Sequence, residues 1–246
     1  MPTAVLLSGG VDSVVLLAQE AAHGEVQPIY VSVGLAWEPA ERAAIAALLA
    51  SETFRTPVAA VAPGAPRVRP LVSLSLDMRD VYGAAHWAVR GRPPAYRTPD
   101  EDVYLPGRNI VLLGKAGVYC AAAQLDRLVL GTLAHNPFPD ATPNFRSSMA
   151  DALSIGLARR LRIEAPYAEV SKADVIRRGE ALGVSFELTL SCMSPVTRVQ
   201  AEPLEPLEPS FLHCGTCSKC RERHDAFLAA GVADPTDYVD VTDLRR

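Results

Sequence analysis

No apolar run in these 246 residues approaches the roughly 18 needed for a membrane-spanning helix, so the sequence predicts no membrane partner. The opening MPTAVLLSGGVDS lacks a basic leader region and passes directly into structural sequence. The expectation is a chain without a signal peptide, working in the cytoplasm. Positive charge is not in excess: the formal net charge is -4, which argues against a nucleic-acid partner held by bulk charge. No GxxxxGKS, GxxxxGKT or GxGxxG run occurs, which removes the Walker and dinucleotide-binding fingerprints. A large internal repeat is also missing. Cysteine is scarce and odd in number, with Cys120, Cys192, Cys214, Cys217 and Cys220. Such a set makes a poor disulfide framework, and its tight cluster of three reads instead as part of a metal site.

What is present is an alternation of strand-like and helix-like segments. AVLL (4–7) is followed by a helix from about Asp12 to Ala22, VQPIYVSVG (26–34) reads as a strand, and EPAERAAIAALLASE (38–52) as an Ala-rich helix. A third strand is expected from Pro57 to Ala62, whereas residues 63–103 show no clean period. LPGRNIVLLGKAGVYCAAAQL (105–125) looks like a loop feeding an apolar helix; DRLVLGTL (126–133) reads as a buried strand and SSMADALSIGLARRL (147–161) as a helix. SKADVIRRGEALG (171–183) carries its own punctuation, with Ser171 as N-cap, Asp174 three residues on and Gly183 past the end. The pattern predicts an α/β fold: an open, mostly parallel sheet with helices on both faces. A Pro/Glu spacer, AEPLEPLEP (201–209), precedes the cysteine cluster. Residues 1–190 are therefore expected to form a nucleotide-binding α/β domain and residues 191–246 a zinc-binding C-terminal region.

The SGGVDS stretch (8–13) sits between the first strand and the first helix. In an open parallel sheet, ligands lie beyond the carboxyl ends of the strands, where helices begin. Glycines let backbone N–H groups approach a ligand with no Cβ in the way, and the open end of the helix favours an anion. Ser8 and Ser13 add hydroxyl donors. Asp12 would repel a bare phosphate, so its presence implies a metal ion or another donor beside it.

Cys214, Cys217 and Cys220 form a C-x2-C-x2-C knuckle in FLHCGTCSKCRERHDAF, and Cys192 lies upstream in LTLSCMSP. Four thiolates in this pattern suit a closed tetrahedral Zn2+ site, with Gly215 easing the turn. A ferredoxin-type iron–sulfur run would need a further Cys where His224 stands. Cys120, among apolar neighbours, reads as a small core residue.

SGGVDS resembles the pyrophosphate-binding loop of the PP-loop ATPases, which split ATP between its α and β phosphates and adenylate an oxygen. Together with PGRN (106–109), SKADVIRRGEALGV and the cysteine pattern, it makes nearly the whole chain similar to the 7-cyano-7-deazaguanine synthase (ExsB-like) family. The resemblance implies a PP-loop (adenine nucleotide α-hydrolase-like) fold with a small C-terminal zinc knuckle. It also implies an ATP-dependent carbon–nitrogen ligase that turns 7-carboxy-7-deazaguanine and ammonia into the nitrile, with ATP and Mg2+ as co-substrate, structural Zn2+ and a homodimeric assembly. Under it, Leu7, Ser8, Gly9, Gly10, Val11, Asp12 and Ser13 cradle the nucleotide's pyrophosphate. Arg108, Asn109 and Gly131 face the same cleft, Lys172 reaches a phosphate, and Phe138 and Asp140 meet the acceptor. Asp12, Arg108 and Lys172 are the expected catalytic groups.

Two stretches depart from the family pattern. A tyrosine-glycine-glutamine run is replaced by SVGLAW (32–37), and the family's substrate loop reads HNPFPDATPNF (135–145), in which Phe138 or Phe145 must stand in for a tyrosine. These departures leave open an adenylating enzyme with another carboxylate acceptor, or a non-catalytic nucleotide-binding homologue. A PP-loop tRNA sulfurtransferase would need free cysteines and a basic face.

Overall fold

The computed structural model describes residues 2–55, 67–198 and 211–244. The strand expected at 57–62 and the spacer at 201–209 lie outside the described residues. The chain begins with β1 (Thr3–Leu6), α1 (Val11–His23), β2 (Val26–Ser32) and α2 (Glu38–Ala50). The short α3 (Glu52–Arg55) precedes β3 (Val72–Ser75), α4 (Arg79–Tyr82) and α5 (Trp87–Arg90). Then come α6 (Arg108–Ala122), β4 (Arg127–Val129), α7 (Pro143–Gly156), β5 (Arg162–Glu164) and α8 (Lys172–Ala181). The chain closes with β6 (Val196–Thr197), β7 (Phe211–Leu212) and α9 (Ser218–Ala230).

Five strands form one sheet in the order β3-β2-β1-β4-β5, and every pairing within it is parallel. The chain builds outward from β1 on one side, then crosses over and builds outward on the other. The strand order therefore reverses at β1/β4, where a crevice opens at the carboxyl edge. Alternation along the strands separates two cores. Val5, Tyr30 and Val129 pack with α1, α8 and α9, whereas Ala4, Ile29, Val31 and Leu128 pack with Leu113, Ala116 and Cys120 of α6. The expected parallel sheet with a core on each face is present.

Three details differ from the sequence reading. β3 falls inside the stretch read as irregular, and β5 was not expected. Both are short edge strands; β3 alternates half-buried and exposed residues, so no continuous apolar run marks it. Second, β4 spans three residues rather than eight, because the chain leaves the sheet at the crevice. Third, α7 starts earlier than expected: Thr142 caps it by accepting the Phe145 N–H at 3.2 Å, and Pro143 occupies its first turn. The C-terminal helix α9 packs on α8, and its fully buried Arg223 ties it to the segment that follows α8 and to the chain beyond α9. Its guanidinium donates to Thr189 Oγ1 at 2.7 Å, the Phe186 carbonyl at 2.9 Å and Thr236 Oγ1 at 2.5 Å.

Candidate active site and metal centre

A cleft of about 260 Å3 occupies the crevice at the strand-order reversal. Its floor is the loop between β1 and α1. Gly10 caps α1 with extended backbone and no side-chain acceptor, so the first-turn N–H groups remain open toward the cleft. Ser8 N–H donates to Ser13 Oγ at 3.2 Å, and Ser13 Oγ donates to the Gly10 carbonyl at 3.0 Å, which fixes both hydroxyls at the helix mouth. Gly9 adopts φ +79, and a Cβ there would lie 3.2 Å from Ile45 Cγ1 and 3.3 Å from the Glu41 carbonyl of α2. Only glycine serves that bend. The Gly9 carbonyl accepts the Leu190 N–H at 2.8 Å, tying the loop to the segment that carries Cys192.

Asp12 stands in the first turn of α1, with Oδ2 2.9 Å from Lys172 Nζ of α8. Lys172 Nζ also lies 2.5 Å from Glu222 Oε1 of α9, and Glu222 pairs with Lys219. Burial works against the Lys172 ammonium, but Asp12 and Glu222 outweigh it and hold its pKa above the ordinary lysine value. Burial likewise opposes the Glu222 carboxylate, and Lys172 and Lys219 pull it well below the usual range. Asp12 Oδ1 is buried and has no hydrogen-bond partner among the described residues. A buried acceptor without a donor at the mouth of an anion-favouring helix fits a divalent cation accompanying a polyphosphate.

Across the cleft, α6 begins at Arg108, whose buried Nε also lacks a partner among the described residues. Asn109 donates its backbone N–H to Asp140 Oδ2 at 3.0 Å and its side-chain amide to the Asp140 carbonyl at 3.1 Å. Burial pushes the Asp140 carboxyl up, against the pull of these donors. The two residues brace each other at the start of α6. Phe138 stacks on Tyr104 with ring centroids 5.2 Å apart, and both rings line the cleft.

The fourth wall holds Glu41 of α2. Its carboxyl accepts from Tyr30 Oη at 2.8 Å and Trp37 Nε1 at 3.1 Å. Burial raises its pKa to about 7, opposed chiefly by Arg108 and Tyr30.

Leu7, Ser8, Gly10, Asp12, Ser13, Arg108, Asn109, Gly131, Phe138 and Asp140 all line this cleft. Gly9, Val11 and Lys172 do not: Gly9 is buried against α2, Val11 points into the core, and Lys172 stands behind Asp12. Phe145 packs in the α6 core rather than the cleft, which leaves Phe138 as the aromatic of that loop at the site. Sequence reasoning missed Tyr30, Glu41, Tyr104 and Glu222. For Glu41 a signal existed, since Glu38 and Glu41 interrupt an Ala-rich helix directly after a central strand.

Cys192, Cys214, Cys217 and Cys220 converge, all buried, with their sulfurs within 4.8 Å of one another. Cys214 Sγ and Cys220 Sγ are 3.8 Å apart, and Cys217 Sγ and Cys220 Sγ 3.5 Å. A tetrahedral zinc with bonds of about 2.3 Å sets its sulfurs roughly 3.8 Å apart, so the four thiols fit that ion. Backbone N–H groups of Ser194 and Cys214 reach Cys192 Sγ at 3.3 Å, and that of Thr216 reaches Cys214 Sγ at 3.4 Å. Such donors stabilise thiolates rather than neutral thiols. Gly215, at φ +80, leaves no room for a side chain: a Cβ would fall 1.8 Å from the Asp240 carbonyl oxygen. Cys120 is remote from this cluster, and burial pushes its thiol up to about 12. No helix among the described residues is long and apolar enough to cross a membrane.

Comparison with known proteins finds relatives of this chain. The family model described as Queuosine biosynthesis protein QueC matches residues 83–231. The 7-cyano-7-deazaguanine synthase of Methanopyrus kandleri is 32% identical, over 97% of this chain and 99% of that protein. The synthase of Geobacter sulfurreducens is 31% identical, over 96% of this chain and 92% of its own length. That of Azoarcus sp. is 32% identical, over 95% of both.

Proposed function

The chain belongs to the QueC family of 7-cyano-7-deazaguanine synthases, and from that membership we propose the reaction its cleft performs. It is an ATP-dependent carbon–nitrogen ligase that converts 7-carboxy-7-deazaguanine and ammonia into 7-cyano-7-deazaguanine, releasing AMP and pyrophosphate. The observation that carries this reading is the open first turn of α1 facing Arg108 across the cleft, with Ser8 and Ser13 at its mouth.

A carboxylate is a poor electrophile because ammonia would have to expel oxide. Adenylation converts that oxygen into a leaving group; ammonia then gives the amide, and a second adenylation on the amide oxygen lets AMP depart as C≡N forms. No protein nucleophile is required, which agrees with the high pKa of Cys120. The protein supplies position and charge. Ser8, Ser13 and the α1 N–H groups hold the pyrophosphate portion. Arg108 directs its unpartnered Nε to a phosphate or the acceptor carboxylate. Asp12, with one free oxygen, is the residue to hold Mg2+, which when bound neutralises phosphate charge. Lys172 keeps Asp12 aimed and adds positive charge behind it, without itself lining the cleft. Phe138 and Tyr104 offer a flat aromatic face to a deazaguanine ring, which supports the deazapurine acceptor over an unrelated carboxylate despite the altered loop. Asn109 and Asp140 hold α6 in place at the acceptor end.

The cysteine cluster holds structural Zn2+ in this reading, in a C-terminal region of residues 191–246 set against the nucleotide-binding residues 1–190. Five unbridged cysteines favour work in a reducing cytoplasm.

The test is direct. The purified protein with ATP, Mg2+, ammonium and 7-carboxy-7-deazaguanine is expected to form the nitrile, seen by mass, with AMP and pyrophosphate. ATP binding without any acid-dependent product would overturn the substrate assignment.

A further inference from the structure

Each step that builds the new carbon–nitrogen bonding in this reaction releases a proton inside the cleft, and a group there must take it. Five carboxylates stand at or beside the site, and four are committed, Glu222 to Lys172 and Lys219. Asp12 is pinned by Lys172 at 2.9 Å. Glu38 accepts the N–H groups of Val33 at 2.7 Å and Gly34 at 3.0 Å, together with the Ser32 hydroxyl at 2.5 Å. Asp140 accepts from Asn109. Asp140 also lines the cleft with neutral partners, but its carboxylate is committed to the Asn109 N–H in the first turn of α6, whereas Glu41 is held from behind by two side chains, one donor to each oxygen, which leaves lone pairs on both oxygens.

We propose that Glu41 is the general base of amide and nitrile formation, taking the proton that the attacking nitrogen sheds. The inference rests on the ligase reading given above. As the N–C bond forms, the acyl C–O bond to AMP breaks and AMP leaves with the bonding pair. The nitrogen, carrying one proton too many, gives it to the Glu41 carboxylate, which releases it to solvent through the cleft mouth. In the second round the N–H proton of the adenylated imidate leaves by the same route as AMP departs.

The surroundings suit the task. Tyr30 from β2 and Trp37 ahead of α2 hold the carboxyl in place. Arg108 from α6 lowers its pKa, whereas Glu38 on its own helix raises it. Desolvation prevails and brings Glu41 to about 7, where a carboxylate is both substantially ionised and basic enough to accept a proton at neutral pH. Tyr30, raised above its ordinary value by burial and by Glu41, stays a donor and does not compete as base.

The experiment separates the half-reactions. In Glu41→Gln, pyrophosphate exchange into ATP driven by 7-carboxy-7-deazaguanine is expected to stay within about threefold of wild type. Amide and nitrile formation should fall by about a hundredfold or more, with partial recovery in Glu41→Asp. Loss of exchange in step with product formation would make Glu41 part of the nucleotide site and overturn the proposal. Product formation within about threefold of wild type would overturn it too. Wild-type protein supplies an independent measurement: at constant free-ammonia concentration, decay of the preformed adenylate should show an acidic limb near 7, and a flat profile is incompatible with the role. If wild type shows no acid-dependent exchange at all, the ligase reading fails instead.

Discussion

Lys172 Nζ lies 2.9 Å from Asp12 Oδ2 and 2.5 Å from Glu222 Oε1, so one ammonium joins the first turn of α1 to α8 and α9. A helix dipole at the N-terminus of α1 favours the Asp12 carboxylate, but its direction toward the cleft is set by this lysine. Removing the cation leaves the Asp12 and Glu222 carboxylates without the ammonium between them, with Lys219 still beside Glu222.

Lys172→Met is therefore expected to cost about 1–3 kcal/mol of stability, discounted because both carboxylates are partly solvated. ATP turnover should drop by about a hundredfold or more, since the positioning of Asp12 and the charge near the phosphates go together. Denaturant titration and pyrophosphate exchange measure the two effects separately.

The same cluster fixes a pH dependence. Glu222 is held below its ordinary value of 4.5, so its contribution to stability is present above that pH and is lost as pH falls through the lower folded value. Lys172 is held above 10.5, so its contribution is complete below that pH and fades only as pH rises past it. Thermal scans from pH 7 down to 3 should show wild type losing stability below about 4.5. Glu222→Gln should flatten that limb, and an unchanged limb would assign acid sensitivity to other carboxylates.

Metal removal should act on folding before chemistry. A strong chelator, or Cys217→Ser, is expected to lower Tm by about 5 °C or more, because binding energy at a closed thiolate site is folding energy. Cys120→Ser should leave the metal content unchanged at one ion per chain by elemental analysis. An iron and sulfide signal would replace zinc in this picture.

Phe138→Ala removes the ring that stacks on Tyr104. The acceptor's KM should rise roughly tenfold while the KM for ATP stays level, given about 1 kcal/mol per aromatic pair and some lost area. Steady-state kinetics with each substrate varied decides it, and an equal rise in both constants would point to a disturbed cleft instead.

Much of the site was legible because its information is local. SGGVDS, the C-x2-C-x2-C spacing and the Ser171 cap each lie within a few residues, and each determines a turn or a helix end that short-range sterics enforce. The strands β3 and β5 were illegible because an edge strand of three or four half-exposed residues carries no apolar run. Glu41 and Glu222 escaped for another reason. Their significance comes from Tyr30, eleven positions away, and from Lys172, fifty positions away, and only the folded chain supplies those neighbours. Arg223 is the clearest case: a basic residue in a polar-looking run turns out to be wholly enclosed.

The hydrogen bond from Leu190 N–H to the Gly9 carbonyl stitches the glycine bend to the approach toward Cys192. Leu190 stands two residues ahead of Cys192, so this one bond sets the bend beside the sulfur cluster. The shape of the glycine bend and the placement of the cysteine cluster are thereby joined in one stretch of backbone.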